Sequence, residues 1–394
     1  MSRRDLRLLI FLAITLNLIV LVMFERGNRD LVKGDFKMYY TAAVALRTGH
    51  TADVYDPSYH DRAQRELMPS ITPRYIKSYT HPPYELLIFL PFSLLGYQVA
   101  RVCWLVVSLG LAALCGRLLR SYAAVFALFP LVLVLFEQQD SLLTLLALIG
   151  CWFAIRRGKD ALGGFILGLA LFRFPIIVPL AAILFLWRPR ILRGLLISGS
   201  VVVILSVALV GPDGMRSYIR YVHGMASSSV TAVNDYYKMD PRHNPTLRGL
   251  VYQVASGGGE TVSPRIAPLI PVATGILYLG ALVFAWKVMR SKAQPEVKYS
   301  AAILVALLLS FHLLVQELIL LALPLVLLRG FKAQWALAPF CAAPFVLLFY
   351  PDSQAWLALL LVAAAMFAYA GSFNAAFRMS QGSSAETPRA ISAA

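Results

Sequence analysis

Asp35 follows a glycine shortly after the first long apolar run of the chain. A carboxylate at a membrane surface is partly desolvated, which raises its pKa and strengthens it as a base toward a hydroxyl group. The same residue also fits as the N-cap of a helix that begins at Phe36, because aspartate is favoured there. Arg74, Lys77, Tyr79 and His81 follow, converging on Pro82-Pro83 where the chain turns back toward apolar sequence. Cations and hydroxyls at that level suit a phosphate in the headgroup plane, although basic and aromatic side chains also serve as plain interfacial anchors. Arg173 stands in the middle of the apolar unit ALGGFILGLALF-RFP-IIVPLAAILFLW. A guanidinium there is costly unless paired, which makes it a functional candidate, with an ion pair to Glu137 or Asp140 as the structural alternative.

Further polar residues interrupt apolar sequence. His312 and Glu317 lie in SFHLLVQELILLALP, and the amides of Gln138 and Asn244 are suited to sugar hydroxyls. Tyr55-Asp56-Pro57 reads as a turn starter. No glycine motif of the phosphate-cradling type is present, nor a His/Asp/Glu cluster with metal-ligand spacing. A soluble nucleotide donor, a cofactor and a bound metal are therefore not expected. The four cysteines all lie within apolar segments and read as small buried hydrophobes.

The elements that carry these residues are membrane helices. The chain is 59% hydrophobic and only 14% charged, with a formal net charge of +16 and a mean hydropathy of +0.69. Soluble domains carry about 25% charged residues. Lys and Arg gather at the ends of apolar runs, as expected for cytoplasmic flanks, so nucleic-acid binding is excluded as the reading of the basic excess. The first apolar run is too long for a signal-peptide core and is expected to be a retained anchor.

About 20 apolar residues cross a bilayer core. On that scale the spans fall at 6–24, 97–116, 122–136, 141–155, 192–210, 266–287, 299–311, 313–328, 334–350 and 355–376. Both termini are then cytoplasmic, and two large loops, about 25–83 and 211–265, lie outside. Residues 36–46 place Tyr39, Ala43 and Leu46 on one side, which suits a helix lying on the membrane surface. Residues 84–95 are too short to cross, and the unit around Arg173 reads as a helical hairpin with that residue near its tip. The expectation is one all-α polytopic domain over 1–378, with about ten transmembrane helices plus re-entrant and interfacial pieces. A disordered polar tail is expected over 379–394.

The ordered set GDFKMYYTAAVALRTG, VYDP and YTHPPYELLIFLPFSLL, with Trp104 beyond it, resembles glycosyltransferase family 87. These are GT-C enzymes typified by bacterial polyprenyl-phosphate-mannose-dependent alpha-mannosyltransferases. The likeness continues through EQQDS, GGFILGLALFRFPIIVPL, NPTLRG and SFHLLVQELILLALPL. It implies a multi-pass enzyme of the bacterial cytoplasmic membrane with its active site facing the periplasm. That enzyme would move a hexose, mannose being the expected sugar, from polyprenyl phosphate to a lipid or glycan acceptor with inversion. Asp35 falls where the family's proposed base lies, and His312 falls on its late outer-loop histidine. Arg173 stands where many members carry lysine.

Two departures are visible: Gln138 follows Glu137 instead of glycine, and Glu317 stands where aspartate is common. The roles implied are Asp35 as base, with Arg173, Arg74, Lys77 and His312 on the donor phosphate. Tyr39, Tyr79, His81, Gln138, Asn244 and Glu317 would contact substrate. A lipid or solute transporter or flippase is the main competing class, but it would line a path through the midplane, and most of these residues fall on the outer side.

Overall fold

The computed structural model describes residues 3–27, 34–69, 76–227, 241–259, 261–329, 333–342 and 351–383. Among the described residues every regular element is helical. In chain order they begin with α1 (Arg3–Gly27), α2 (Phe36–Arg47), α3 (Pro57–Leu67), α4 (Leu86–Phe89), α5 (Tyr97–Leu118) and α6 (Tyr122–Phe126). Next come α7 (Pro130–Glu137), α8 (Ser141–Arg156), α9 (Asp160–Leu169), α10 (Phe174–Phe185) and α11 (Arg190–Ser227). Then follow α12 (Leu247–Ser256), α13 (Leu269–Arg290), α14 (Pro295–Leu309), α15 (Ala322–Leu327) and α16 (Ala333–Leu337), and a last helix, Leu357–Ser383.

Among the described residues, four helices are long and apolar enough to cross a membrane: Tyr97–Leu118, Arg190–His223, Leu269–Arg290 and Ser353–Gly371. A bent pair, Asp160–Leu169 with Leu171–Phe185, qualifies jointly. This is fewer than the ten full spans expected. Part of the difference lies in helices that are unbroken but short, such as α8 with 16 residues and α14 with 15, and part in backbone breaks inside apolar sequence. The 122–136 stretch divides into α6 and α7 ahead of Pro130, and 313–328 is a 3-10 stretch, Val315–Leu321, that runs into α15. Such short pieces are viable at membrane depth because protein, not lipid, surrounds them; Leu318 through Leu323 are all buried. The 334–350 stretch lies partly outside the described residues. The last helix reaches Ser383, into the segment expected as a disordered tail.

α9 and α10 bend by 71° across a break at the 3-10 turn Leu171–Arg173. The bend puts Arg173 at the break, as expected, although the arms do not fold back as a tight hairpin. Pro175 opens α10, where its missing N–H costs nothing. α9 is clamped to α11 by small residues. A Cβ on Gly164 would lie 1.8 Å from the Ile191 carbonyl oxygen, and one on Gly194 would lie 1.8 Å from that of Ala161. Gly168 faces Ser198 in the same way. Small residues four apart on both helices let the backbones touch, which is how membrane helices pack closely. α11 itself breaks at Gly211, whose φ of 69° precedes Pro212, and continues as helix into the expected outer loop.

α2 is not the surface helix its periodicity suggests, because Phe36 through Ala45 are all buried. An aromatic cluster encloses it. Tyr39 stacks on Phe89 with centroids 4.3 Å apart, Phe36 stacks on Trp104 at 6.4 Å, and Trp104 donates to the Gln138 carbonyl at 2.9 Å. These contacts fix the start of α2, and Asp35 with it, against the α7–α8 connection.

Candidate active site

Gly34 and Asp35 are pressed onto the end of α7. The Asp35 N–H donates to the Glu137 carbonyl at 2.7 Å, and a Cβ on Gly34 would lie 2.7 Å from the same oxygen. Glycine is needed before this aspartate for that reason. Asp35 occupies the N-cap position of α2 but makes no capping hydrogen bond. Its carboxylate instead takes Lys77 Nζ at 2.5 Å and the Gln139 side-chain amide on its other oxygen. Lys77 is presented by a two-point clamp from α3. Gln64 Nε2 donates to the Lys77 carbonyl at 2.5 Å, and the Lys77 N–H donates to Gln64 Oε1 at 3.2 Å. α3 is capped by Asp56, whose side chain accepts from Ser58 N at 2.9 Å, so the expected turn starter is a helix cap.

Burial alone would raise the Asp35 pKa, as the sequence suggested. Lys77 and the two side-chain hydrogen bonds outweigh it and bring the carboxyl down to about 2. The Asp35 charge raises Lys77 above its ordinary value. Lys37, buried below and donating to the Gly34 carbonyl at 2.9 Å, is lowered to about 7 by burial and by repulsion from Lys77.

A second polar group lies deeper. Arg173 pairs through Nη2 with Asp140 and through Nη1 with Glu317 Oε1 at 2.8 Å. Of the two suggested partners, Asp140 is realised at Arg173. The Tyr39 hydroxyl donates to Asp140 at 3.4 Å. Glu317 Oε2 accepts from Leu314 N at 2.7 Å, closing the start of the 3-10 stretch. Gln139, not singled out from sequence, connects the two groups. Its amide nitrogen contacts Asp35, while its oxygen lies 3.5 Å from Arg173 Nη2. Gln138 is a left-handed helix end (φ 55°) with a buried side chain, and its carbonyl holds Trp104.

Asn244 Oδ1 accepts from Leu313 N at 3.0 Å, and Ser310 Oγ donates to the His312 carbonyl at 2.5 Å. Asn244 therefore braces the His312 loop. A cavity of about 40 Å³ is lined by Thr80, His81, Arg173, Phe311, His312 and Glu317, among others. Phe172 lines this cavity and also an apolar groove of about 420 Å³ with Ile88, Leu143, Leu146, Ile166 and Leu169.

His81 and Glu85 flank the Pro82-Pro83 step, with His81 Nδ1 2.8 Å from Glu85 Oε2 and 3.6 Å from Asp140 Oδ2. The ligand-type atoms of these three buried residues lie within 4.8 Å of one another. This cluster is not visible in the sequence, because Asp140 comes from a different helix junction and Glu85 is not singled out beside the Pro82-Pro83 step. Tyr79 donates from its hydroxyl to Glu85 Oε2 or to the Pro82 carbonyl, each at 3.0 Å. Tyr39 and Tyr79 are fully buried, so both position acids rather than face open space. Burial, with Arg173 adding repulsion, lowers the His81 pKa to about 4. Arg74 lies outside the described residues.

No curated protein and no solved structure matches this chain. The sequence model of glycosyltransferase family 87 matches residues 79–324. The match includes Tyr79, His81, Gln138, Arg173, Asn244, His312 and Glu317, and begins after Asp35, Tyr39, Arg74 and Lys77. It covers more than half of the 394 residues. With its membrane-length helices, this chain belongs to glycosyltransferase family 87.

Proposed function

We propose that the protein transfers a hexose, with inversion, from a polyprenyl-phosphate sugar to a hydroxyl of a lipid or glycan acceptor at the outer face of the membrane. Mannose is the sugar proposed. The observation that carries this reading is the Gln139 amide, which joins the Asp35 carboxylate to the Arg173 guanidinium. A base and a cation held by one side chain suit a reaction with a proton leaving at one end and phosphate charge growing at the other. The apolar groove that shares Phe172 with the polar cavity suits a prenyl chain whose head reaches Arg173.

In the proposed reaction the acceptor oxygen attacks the anomeric carbon as Asp35 takes its proton. The bond from that carbon to the phosphate oxygen breaks on the opposite face, and polyprenyl phosphate leaves with the electron pair. Lys77 is half exposed and reachable from outside the cluster. A phosphate that draws Lys77 away removes the strongest influence lowering Asp35, so donor binding would turn a resting ion pair into a competent base. The outward placement rests on the positive flanks expected to stay cytoplasmic.

The test is a proteoliposome assay with polyprenyl-phosphate mannose and a panel of hydroxylated lipid acceptors. Release of polyprenyl phosphate that depends on acceptor supports the transferase. Donor carried across the bilayer intact, without cleavage, would instead mark a flippase.

A further inference from the structure

The deeper acidic group is short of positive charge. Asp140, Glu317 and Glu85 are each at least 98% buried, and the guanidinium within their reach is that of Arg173. With all three ionised, one guanidinium leaves a deficit of two charges in a water-poor setting, where uncompensated charge is expensive; burial pushes Glu85 and Glu317 toward their neutral forms unless a further cation is present. The Asp35 group does not relieve it, because Lys37 and Lys77 there already face Asp35 and Glu137.

The unmet bonding capacity falls on three residues that each bring a ligand-type atom within 4.8 Å of the others. His81 Nδ1, Glu85 Oε1 and Asp140 Oδ2 are buried atoms with no hydrogen-bond partner. The Glu85 and Asp140 carboxylates approach each other within hydrogen-bonding reach, although neither carries a donor when ionised. Either a proton, which burial and the neighbouring Asp140 favour on Glu85, or a cation must lie between them.

We propose that His81 Nδ1, Glu85 and Asp140 bind one divalent metal ion, Mn²⁺ or Zn²⁺ in character. One imidazole nitrogen with two carboxylate oxygens suits these ions better than Mg²⁺ or Ca²⁺, which take all-oxygen shells. Metal–ligand bonds of about 2.0–2.2 Å bring ligand atoms roughly 3–3.5 Å apart around the ion. The observed separations of 2.8 Å and 3.6 Å bracket that span. The supports of a metal site are also present. Tyr79 donates to Glu85, Tyr39 and Arg173 donate to Asp140, and Tyr55 donates to the His81 carbonyl at 2.7 Å. Groups behind the ligands fix their orientation in this way at metal centres.

His81 also lines the 40 Å³ cavity shared with Arg173. That volume admits a water ligand, which needs about 10–15 Å³, or one phosphate oxygen. On the transferase reading, the ion adds positive charge beside Arg173, whose own charge is shared with two carboxylates. The metal site itself does not depend on that reading.

The experiment uses the full chain in nanodiscs, stripped with chelator and titrated with Mn²⁺. Free ion is followed by electron paramagnetic resonance, and bound ion by its electron spin-echo modulation. We expect one ion per chain, with modulation from a single histidine nitrogen. Glu85→Gln and His81→Gln should each weaken binding at least tenfold, and His81→Gln should abolish the nitrogen modulation. His50→Ala, an exposed histidine paired with Asp53 outside the site, should leave both unchanged. Elemental analysis of the unstripped protein checks for Zn²⁺.

Absence of stoichiometric binding would overturn the proposal, and so would a bound ion without nitrogen modulation in the unmodified protein. In the former case an infrared carboxylic-acid band lost in Glu85→Gln would identify a shared proton in the ion's place. No sugar is present in these measurements, so their outcome is separate from that of the transfer assay.

Discussion

Asp35 is gripped by two side chains with different consequences: Lys77 lowers its proton affinity, and Gln139 fixes the direction of its second oxygen. Because the folded pKa is depressed to about 2, the stability this carboxylate contributes is complete above its ordinary value of 3.8 and is lost as pH falls from there toward 2. Lys77→Met removes the main lowering influence and leaves burial in charge. The acid limb of kcat/KM should then move upward in pH, above the wild-type limb, as read from a pH–rate profile. A limb that stays in place would mean that Asp35 does not titrate in the rate-limiting step. Gly34→Ala should displace the aspartate, because the new methyl meets the Glu137 carbonyl at 2.7 Å. Activity is expected to drop at least tenfold with little change in yield, measured by transfer assay and size-exclusion profile. Arg173 and Glu317 stand out in the sequence because charge inside apolar surroundings is conspicuous, and Asp35 because it follows a glycine just beyond the first apolar run. Gln139 and Glu85 do not, since an amide next to another amide and an acid beside a proline step carry no spacing signal until the chain folds.

At the scale of elements, the α9–α11 contact depends on side chains that are missing. Gly164→Val places methyl groups where the Ile191 carbonyl already lies within 1.8 Å of a Cβ. The helices must separate, and the turn that holds Arg173 moves with α9. A fall of several degrees in the midpoint of detergent-phase unfolding is expected, together with loss of activity. Gly110→Ala on α5, where a Cβ meets nothing within 4 Å, is the control and should leave the midpoint unchanged. The break at Arg173 and the short helical pieces at 84–95 were legible from length alone, since each arm and each piece is too short to cross a bilayer unaided, although the hairpin expected around Arg173 is a 71° bend instead. The count of full spans was not. Hydropathy cannot see a 3-10 stretch such as Val315–Leu321 or the break ahead of Pro130, because packing inside the protein, not composition, tolerates them. The periodicity of α2 misled for a related reason: its polar-looking face meets Phe89, Trp104 and the acid cluster instead of water.

For the molecule as a whole, the polar cavity holds about 40 Å³, against roughly 300 Å³ or more in ordinary ligand pockets. The described arrangement is closed, and admitting a sugar requires the Phe172–Pro175 turn and the Phe311–Glu317 segment to part. Both belong to the cavity lining, and Phe172 also borders the apolar groove. Phe172→Trp should narrow the groove where it meets the site. It is expected to raise KM severalfold for a long-chain polyprenyl-phosphate donor while leaving a short-chain analogue almost unaffected. Equal effects on both donors would remove the groove from the lipid path.

The most direct measurement is turnover of Asp35→Asn in proteoliposomes, with donor binding measured on the same preparation. Loss of a positioned general base typically costs 10²–10⁴-fold in rate. The account predicts a fall in that range with donor affinity kept within a few-fold, since Gln139 and Arg173 remain in place. Full activity in the asparagine variant would contradict it, and the proton acceptor would then have to be sought elsewhere in the cluster.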